Sequence, residues 1–174
     1  MTRVLIAGLG NMGLSHALAH HHHPGAKIVG LVNRSGLVEN ADLGGYPTFT
    51  DFHEALQTTT PDLAVIATYT DTHADYACAA MEAGAHVFVD KPLAMTVADA
   101  NRVVETAKRT NRKLVVGYIL RHHPSWTRLI KEARALGGPF VFRLNLNQQS
   151  SGAEWEVHKA LMQTTSPIVD CGVH

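Results

Sequence analysis

The chain has 174 residues, 45% of them hydrophobic and 17% charged, with Lys plus Arg equal to Asp plus Glu at 15 each. That length accommodates one domain with a core, or one domain and part of another, and the composition excludes a disordered chain. The neutral balance offers no footprint for nucleic acid or an anionic membrane, no apolar run reaches spanning length, and Cys78 and Cys171 make no disulfide framework, so the chain reads as soluble and cytoplasmic, with no nucleic-acid or membrane partner.

The first element, RVLIAG at 3–8, is a short β-rich run ending in glycine, hence a buried strand. NMGLSHALAHH follows, with Met12, Leu14, Ala17 and Leu18 in helical register. It runs into His20–His23. His16 and His20, four apart, share a helical face, but neither an HExxH pattern nor a Cys/His zinc spacing is present, so the tract reads as a solvated helix end and no metal is expected. KIVGLV at 27–32 and LAVIAT at 63–68 are strands, and THADYACAAMEAGA at 72–85 is an Ala-rich helix closed by Gly84. HVFVD at 86–90 is a strand. TVADANRVVETAKRT at 96–110 is a helix with Thr96 as N-cap and Asp99 in the capping-box position. KLVVGY at 113–118 is a strand, and PSWTRLIKEARAL at 124–136 is a helix that starts with proline and stops at Gly137-Gly138.

Continuous apolar strands alternating with helices demand crossovers, and so a mostly parallel sheet covered on both faces: an α/β fold of the doubly wound, Rossmann type. The pattern changes after Pro139. FVFRLNLNQ at 140–148 alternates apolar and polar residues, as a half-buried strand of an open sheet does, and has no strand partner downstream. The expected organisation is a first domain over 1–118 and the start of an incomplete second α/β domain over 119–174.

Chemistry concentrates at four places. GLGNMG sets Gly8, Gly10 and Gly13 in GxGxxG spacing between a strand and a helix, with Asn11 and Met12 inside the turn. The first glycine permits the tight turn, the second lets backbone approach a pyrophosphate, the third lets helix and strand pack closely, and the helix N-terminus offers its amides to the phosphates. The next strand ends in Asn33, Arg34 and Ser35, with Asn33 20 residues after Gly13. No carboxylate stands there to bind a ribose 2′-hydroxyl or repel a 2′-phosphate, and Arg34 can pair with the latter, which favours NADP over NAD. Lys91, held before Pro92 at the end of a parallel strand, points to the crevice where ligands bind, and desolvation there would suit it to proton transfer. In SPIVDCGVH, Ser166 caps a helix with Pro167 at its first position, and Asp170 and His174 share a face at i and i+4. A histidine is matched to proton transfer near neutral pH, and a neighbouring Asp orients it.

Taken in order, GLGNMG, THADYACAAMEAGAHVFVDKPLA, GYILRHHPSW and SPIVDCGVH resemble the glucose-fructose oxidoreductase / inositol dehydrogenase / rhizopine-catabolism (Gfo/Idh/MocA) family, from residue 3 to residue 174. The resemblance implies an N-terminal Rossmann domain, and a C-terminal α/β domain whose open sheet supplies much of the substrate pocket and the usual oligomer contact. It implies a dehydrogenase or reductase of sugars, polyols and related hydroxyl compounds with NAD(H) or NADP(H), and a homo-oligomer when full length. Lys91 then matches the family lysine near the nicotinamide, Asp170 and His174 the acid/base pair, His73 the histidine of the TPnxxH segment, and Arg121 the Arg after Gly117-Tyr118 near the cofactor. Thr68 and Tyr69 fall in the loop over the nicotinamide, with Tyr69 in place of the usual proline. Asp90 stands where Glu is usual before Lys-Pro, and the stretch between Ser35 and Tyr46 is shorter than usual. Trp155, His158 and Lys159, read as a polar loop entering the second domain, are offered as substrate contacts. Two alternatives stand beside this reading: a dinucleotide-binding module without turnover, and a lyase or glycosidase of the same family that uses NAD non-oxidatively.

Overall fold

The structure, a computed structural model, describes residues 1–36, 40–143, 145, 152, 155, 156, 159 and 163. It divides into two compact units, Met1–Gly117 and Tyr118–His174.

The first unit is built on a six-stranded sheet of order β3-β2-β1-β4-β5-β6. Its strands are β1 (Thr2–Ala7), β2 (Ala26–Val32), β3 (Thr48–Phe49), β4 (Leu63–Ile66), β5 (His86–Val89) and β6 (Leu114–Val116), all paired in parallel. The helices α1 (Asn11–His22), α2 (Phe52–Thr59), α3 (Thr70–Glu82) and α4 (Val97–Thr110) are the crossovers. The strand order reverses between β1 and β4, the topological switch point at which open α/β sheets bind their ligands.

Side chains of β1 alternate between two cores. Leu5 and Ala7 join Ala64, Ile66, Val87 and Val89 under Phe52 and Leu56 of α2, Ala77 and Met81 of α3, and Val103 of α4. Val4 and Ile6 join Ile28, Leu31 and Val65 under Ala17 of α1. Both faces of the central strands are therefore covered, which is why they read as unbroken apolar runs. At about 25 cal/mol per Å2 of apolar surface removed from water, this two-sided burial dominates the stability of the unit.

Local signals end the elements where side-chain chemistry requires it. The Thr96 hydroxyl accepts from the Asp99 amide at 3.0 Å and donates to the Asp99 carboxylate at 2.7 Å, a reciprocal cap on α4. That bond and one from Arg102 hold the Asp99 carboxyl below its ordinary range. At the other end Asn111 turns left-handed, φ 52°. Arg102 bridges α4 to Asp75 of α3 at 2.7 Å, and Arg109 to Glu82 at 2.6 Å.

Among the described residues β3, α2 and the short 3-10 helices Ala41–Leu43 and Ile119–His122 have no counterpart in the sequence expectations. The signal for α2 was present: Asp51 caps the Glu54 amide at 2.7 Å, and Phe52, Ala55, Leu56 and Thr59 form the buried stripe. Phe52 stacks on Tyr76 of α3, rings 4.1 Å apart and 13° from parallel. Burial and the Asp51 charge push the Tyr76 hydroxyl above its ordinary pKa, against an opposing pull from Arg34.

In the second unit, α5 (Pro124–Leu136) begins at proline and ends at Gly137, as its sequence predicts. The strand expected over 140–148 is not found in its described part. Phe140–Arg143 and Asn145 carry no strand backbone, and Phe140 and Phe142 are 56% and 68% exposed. Among the described residues no strand lies outside the six-stranded sheet, and a single alternating segment without a ladder has no hydrogen bonds to hold it extended. Trp155, Glu156, Lys159 and Gln163 carry helical backbone, correcting the expected polar loop. Glu156, Lys159 and Gln163 are strong helix formers, and their propensity outweighs their polarity. No helix among the described residues is long and apolar enough to cross a membrane.

Candidate active site

The site is assembled at the C-terminal ends of the parallel strands. After β1 the chain turns at Gly8, whose φ of +86° belongs to the left-handed region that glycine tolerates. A Cβ on Gly8 would strike the carbonyl of Ala67, directly after β4, and a Cβ on Gly13 would strike the carbonyl of Gly8. The turn is thus packed backbone to backbone against the end of β4, and the first turn of α1 is packed against that turn. Gly10 differs: among the described residues, its own chain neighbours apart, nothing lies within 4 Å of a Cβ there. Its side is open.

Gly10 is also the N-cap of α1, with no side chain capping the helix, and the first intrahelical bond runs from the Leu14 amide to the Gly10 carbonyl at 2.8 Å. The amides of Asn11, Met12 and Gly13 precede that bond and lie at the positive end of the helix dipole. An open face above Gly10, uncapped amides and no first-turn carboxylate form a cradle that fits a pyrophosphate.

The Gly8 amide donates to the Val32 carbonyl at 2.9 Å, which brings the end of β2 beside the turn. There Asn33 donates its side-chain amide to the Ser35 hydroxyl at 2.9 Å, and Arg34 and Ser35 are exposed. The Arg34 guanidinium carbon stands 5.7 Å from the centroid of the Tyr69 ring, and Tyr69 is 61% exposed. The β2 end and the β4–α3 loop therefore meet, framing the cradle with a cation and an aromatic face. The Thr68 and Thr72 hydroxyls share a hydrogen bond at 2.7 Å, and Thr72 donates to the Tyr69 carbonyl at 2.8 Å, which fixes that loop.

Beyond β5 come Asp90, Lys91 and Pro92, with a cis peptide bond between Lys91 and Pro92. The Asp90 amide donates to the Ile66 carbonyl at 2.8 Å, placing this turn next to the end of β4. Lys91 is half-buried and Pro92 buried. His73 is 1% exposed, with Nδ1 2.7 Å from the Pro92 carbonyl oxygen and Nε2 3.0 Å from the Thr68 carbonyl oxygen. Both ring nitrogens face backbone carbonyl oxygens, and the nitrogen that carries the ring proton donates to its carbonyl, so His73 sits beneath the two loops and ties into them.

Of the residues singled out in the sequence, Gly8, Gly10, Asn11, Met12, Gly13, Asn33, Arg34, Ser35, Thr68, Tyr69, His73, Lys91 and Pro92 all lie on this one edge of the sheet or directly under its loops. Arg121 is in the second unit, its guanidinium carbon 4.7 Å from the Tyr118 ring centroid. Trp155 and Lys159 are exposed helical residues of that unit. His158, Asp170 and His174 lie outside the described residues. Sequence reasoning read His16 as one of a solvated tract. In the structure it is half-buried, with Nε2 3.4 Å from Asp90 Oδ1 and its ring edge-on to Phe88 at 4.9 Å. His16 falls one helical turn beyond Gly13 and Asp90 directly precedes Lys91, but their pairing across 74 residues is a product of the fold.

Residues 2–118 match the model of an oxidoreductase family with an NAD-binding Rossmann fold, GFO_IDH_MocA. Over an alignment 180 positions long that takes in 99% of this chain, it is 29% identical to scyllo-inositol 2-dehydrogenase (NAD(+)) of Bacillus subtilis, of which it covers 51%. It is 34% identical over 126 residues to 4-carboxy-2-hydroxymuconate-6-semialdehyde dehydrogenase of a Sphingobium species, covering 71% of this chain and 40% of that one. Among solved structures it superposes on myo-inositol 2-dehydrogenase from Lactobacillus plantarum with a TM-score of 0.68 at 25% identity, covering 78% of this chain and 42% of that one. Scyllo-inositol dehydrogenase from Lactobacillus casei, solved with bound NAD(H) and scyllo-inositol, gives a TM-score of 0.67 at 25% identity, with coverage of 79% and 42%. The chain spans about half or less of the length of these relatives. The glycine-rich cradle at the β1/β4 switch point and the match over its whole Rossmann unit make this chain a member of the Gfo/Idh/MocA oxidoreductase family.

Proposed function

We propose that the protein is an NAD(P)-dependent dehydrogenase or reductase of a polyol or sugar hydroxyl, with residues 1–118 holding the cofactor and residues 119–174 opening the substrate domain. The observation that carries this reading is the cradle itself. Gly8 and Gly13 are required by backbone contact, whereas Gly10 meets nothing, which leaves room for a ligand rather than for the protein. The relatives named for inositol oxidation support a cyclic polyol as the substrate class.

When bound, a nicotinamide dinucleotide supplies the hydride acceptor or donor. The residues of this chain do the rest. The amides of Asn11, Met12 and Gly13 bind the pyrophosphate. Asn33, Arg34 and Ser35 take the adenosine ribose, and the absence of a carboxylate among them favours NADP over NAD, although the B. subtilis relative is named for NAD(+). Thr68, Tyr69 and Arg121 complete the cofactor contacts. Lys91 lies at the reacting end. It hydrogen-bonds the substrate hydroxyl, while His174, oriented by Asp170, takes or returns the hydroxyl proton. Trp155, His158 and Lys159 contact the substrate, and the full-length protein is a homo-oligomer.

The test is fluorescence titration of the full-length protein with NADPH and NADH, followed by cofactor-reduction assays with myo-inositol, scyllo-inositol and a panel of sugars. Binding with turnover supports the reading. Binding without turnover on any polyol or sugar points to a dinucleotide-binding module, and no binding overturns it.

A further inference from the structure

The Lys91–Pro92 turn is held from both sides by histidines on different helices. On one side Asp90 Oδ1 stands 3.4 Å from Nε2 of His16 on α1. On the other the Pro92 carbonyl oxygen stands 2.7 Å from Nδ1 of His73 on α3, and the second nitrogen of the same ring reaches Thr68, whose backbone packs against the Gly8 turn. The residue between the two tethers is Lys91. Asp90 is further confined by Gly117, where an added Cβ would stand 3.0 Å from Asp90 Oδ1. The carboxylate, itself only 15% exposed, is thus boxed between α1 and the end of β6.

We infer that His16 and His73 are positioning residues that aim the Lys91 ammonium, acting through Asp90 and Pro92 respectively, and that His73 sets its distance from the glycine-rich turn through Thr68. This deepens the functional reading and rests on it for the claim that Lys91 faces the reacting end. The physical ground is that a lysine carries four rotatable bonds and is directed only as well as the backbone bearing it is fixed. A turn anchored at both flanking residues leaves that backbone one arrangement, and groups at a reacting centre must be held to within a fraction of an ångström.

The experiment is NMR of the full-length protein with 13C-labelled lysine, the Lys91 Cε signal being assigned by its loss in Lys91→Arg. His16 is half-buried, so His16→Ala leaves the core intact. It is expected to shift the Lys91 signal, and His16→Gln, whose amide nitrogen falls where Nε2 lies, to return it. A ring-current artefact would not be reversed by glutamine. At position 73, Asn places its amide nitrogen near Nδ1 and Gln near Nε2. His73→Asn, which keeps a donor at the Nδ1 position facing Pro92, should leave the Lys91 signal close to its wild-type position, whereas His73→Gln, whose donor faces Thr68, should displace it. A Lys91 signal unmoved by His16→Ala, or moved equally by the two His73 variants, overturns the inference. Addition of NADPH to the wild-type protein separates the two readings: a Lys91 signal indifferent to the dinucleotide counts against the functional reading, while the variant comparison still decides the tethers.

Discussion

The Nδ1 atom of His73 lies 2.7 Å from the carbonyl oxygen of Pro92, inside a ring environment only 1% exposed to solvent. A buried carbonyl deprived of its partner bears the desolvation penalty without compensation, so His73→Ala should destabilise the protein by roughly 1–3 kcal/mol, with cavity formation acting in the same direction. Urea unfolding checks this. Asn and Gln at position 73 should each recover part of the loss; full stability in His73→Ala would show that the ring bonds contribute nothing.

Gly13 meets the carbonyl of Gly8 so closely that even a methyl group has no room. Gly13→Ala is therefore expected to push α1 away from the β1 turn. The melting temperature should fall by several degrees, about 2–8 °C for a loss of 1 kcal/mol in domains of this size class, and dinucleotide binding should fall with it. Differential scanning calorimetry and NADPH titration on the same sample test both halves.

Arg34 is exposed at the end of β2, above the Tyr69 ring. If it pairs with a 2′-phosphate, Arg34→Ala should weaken NADPH binding roughly 10- to 100-fold, the range of one charged hydrogen bond, and leave NADH binding nearly unchanged. Asn33→Asp should invert the preference by placing a carboxylate against the phosphate. Equal losses for both dinucleotides in Arg34→Ala would assign the guanidinium to the adenine ring instead.

Tyr76 provides a pH test of the α2–α3 contact. Burial, with Asp51 adding to it, raises its hydroxyl above the ordinary value of about 10. The folded protein thus holds that proton more tightly than the unfolded chain. The associated stability is fully present below the ordinary tyrosine value and is lost as pH rises through the raised one. Unfolding free energy measured in urea should decline across that alkaline window, and Tyr76→Phe, which keeps the stack on Phe52, should remove this part of the decline. Absorbance titration should show the Tyr76 hydroxyl ionising above the ordinary tyrosine value, a step that Tyr76→Phe removes.

Most of the sheet was legible because its strands are buried on both faces and its helices carry caps, as Thr96 and Asp99 illustrate. Strand β3 was not, since two residues carry no periodicity, and α2 was passed over although Asp51 and the Phe52, Ala55, Leu56 stripe announced it. In the site, the glycines and Lys91 were readable because their chemistry is local: a turn, a helix start, a residue before proline. The role of His16 was not. It sits in a run of histidines that looks solvated, and only the folded sheet, which sets α1 beside the end of β5, brings it to Asp90. The strand expected at Phe140 failed for the converse reason: alternation signals a face, but only a neighbouring strand makes it a ladder.

The central claim is that the open space above Gly10 belongs to a dinucleotide, and Gly10→Ala tests it most directly. The backbone there, φ −69° and ψ −171°, suits any residue, and among the described residues the added methyl meets no atom within 4 Å beyond its own chain neighbours. The measurement is NADPH and NADH affinity by fluorescence titration, with melting temperature recorded in parallel for wild type and Gly10→Ala. The account predicts binding by the wild type, an affinity reduced at least about tenfold in the variant, corresponding to about 1.4 kcal/mol, and an unchanged melting temperature. A wild-type protein that binds neither dinucleotide, or a variant that binds as well as the wild type, would contradict it.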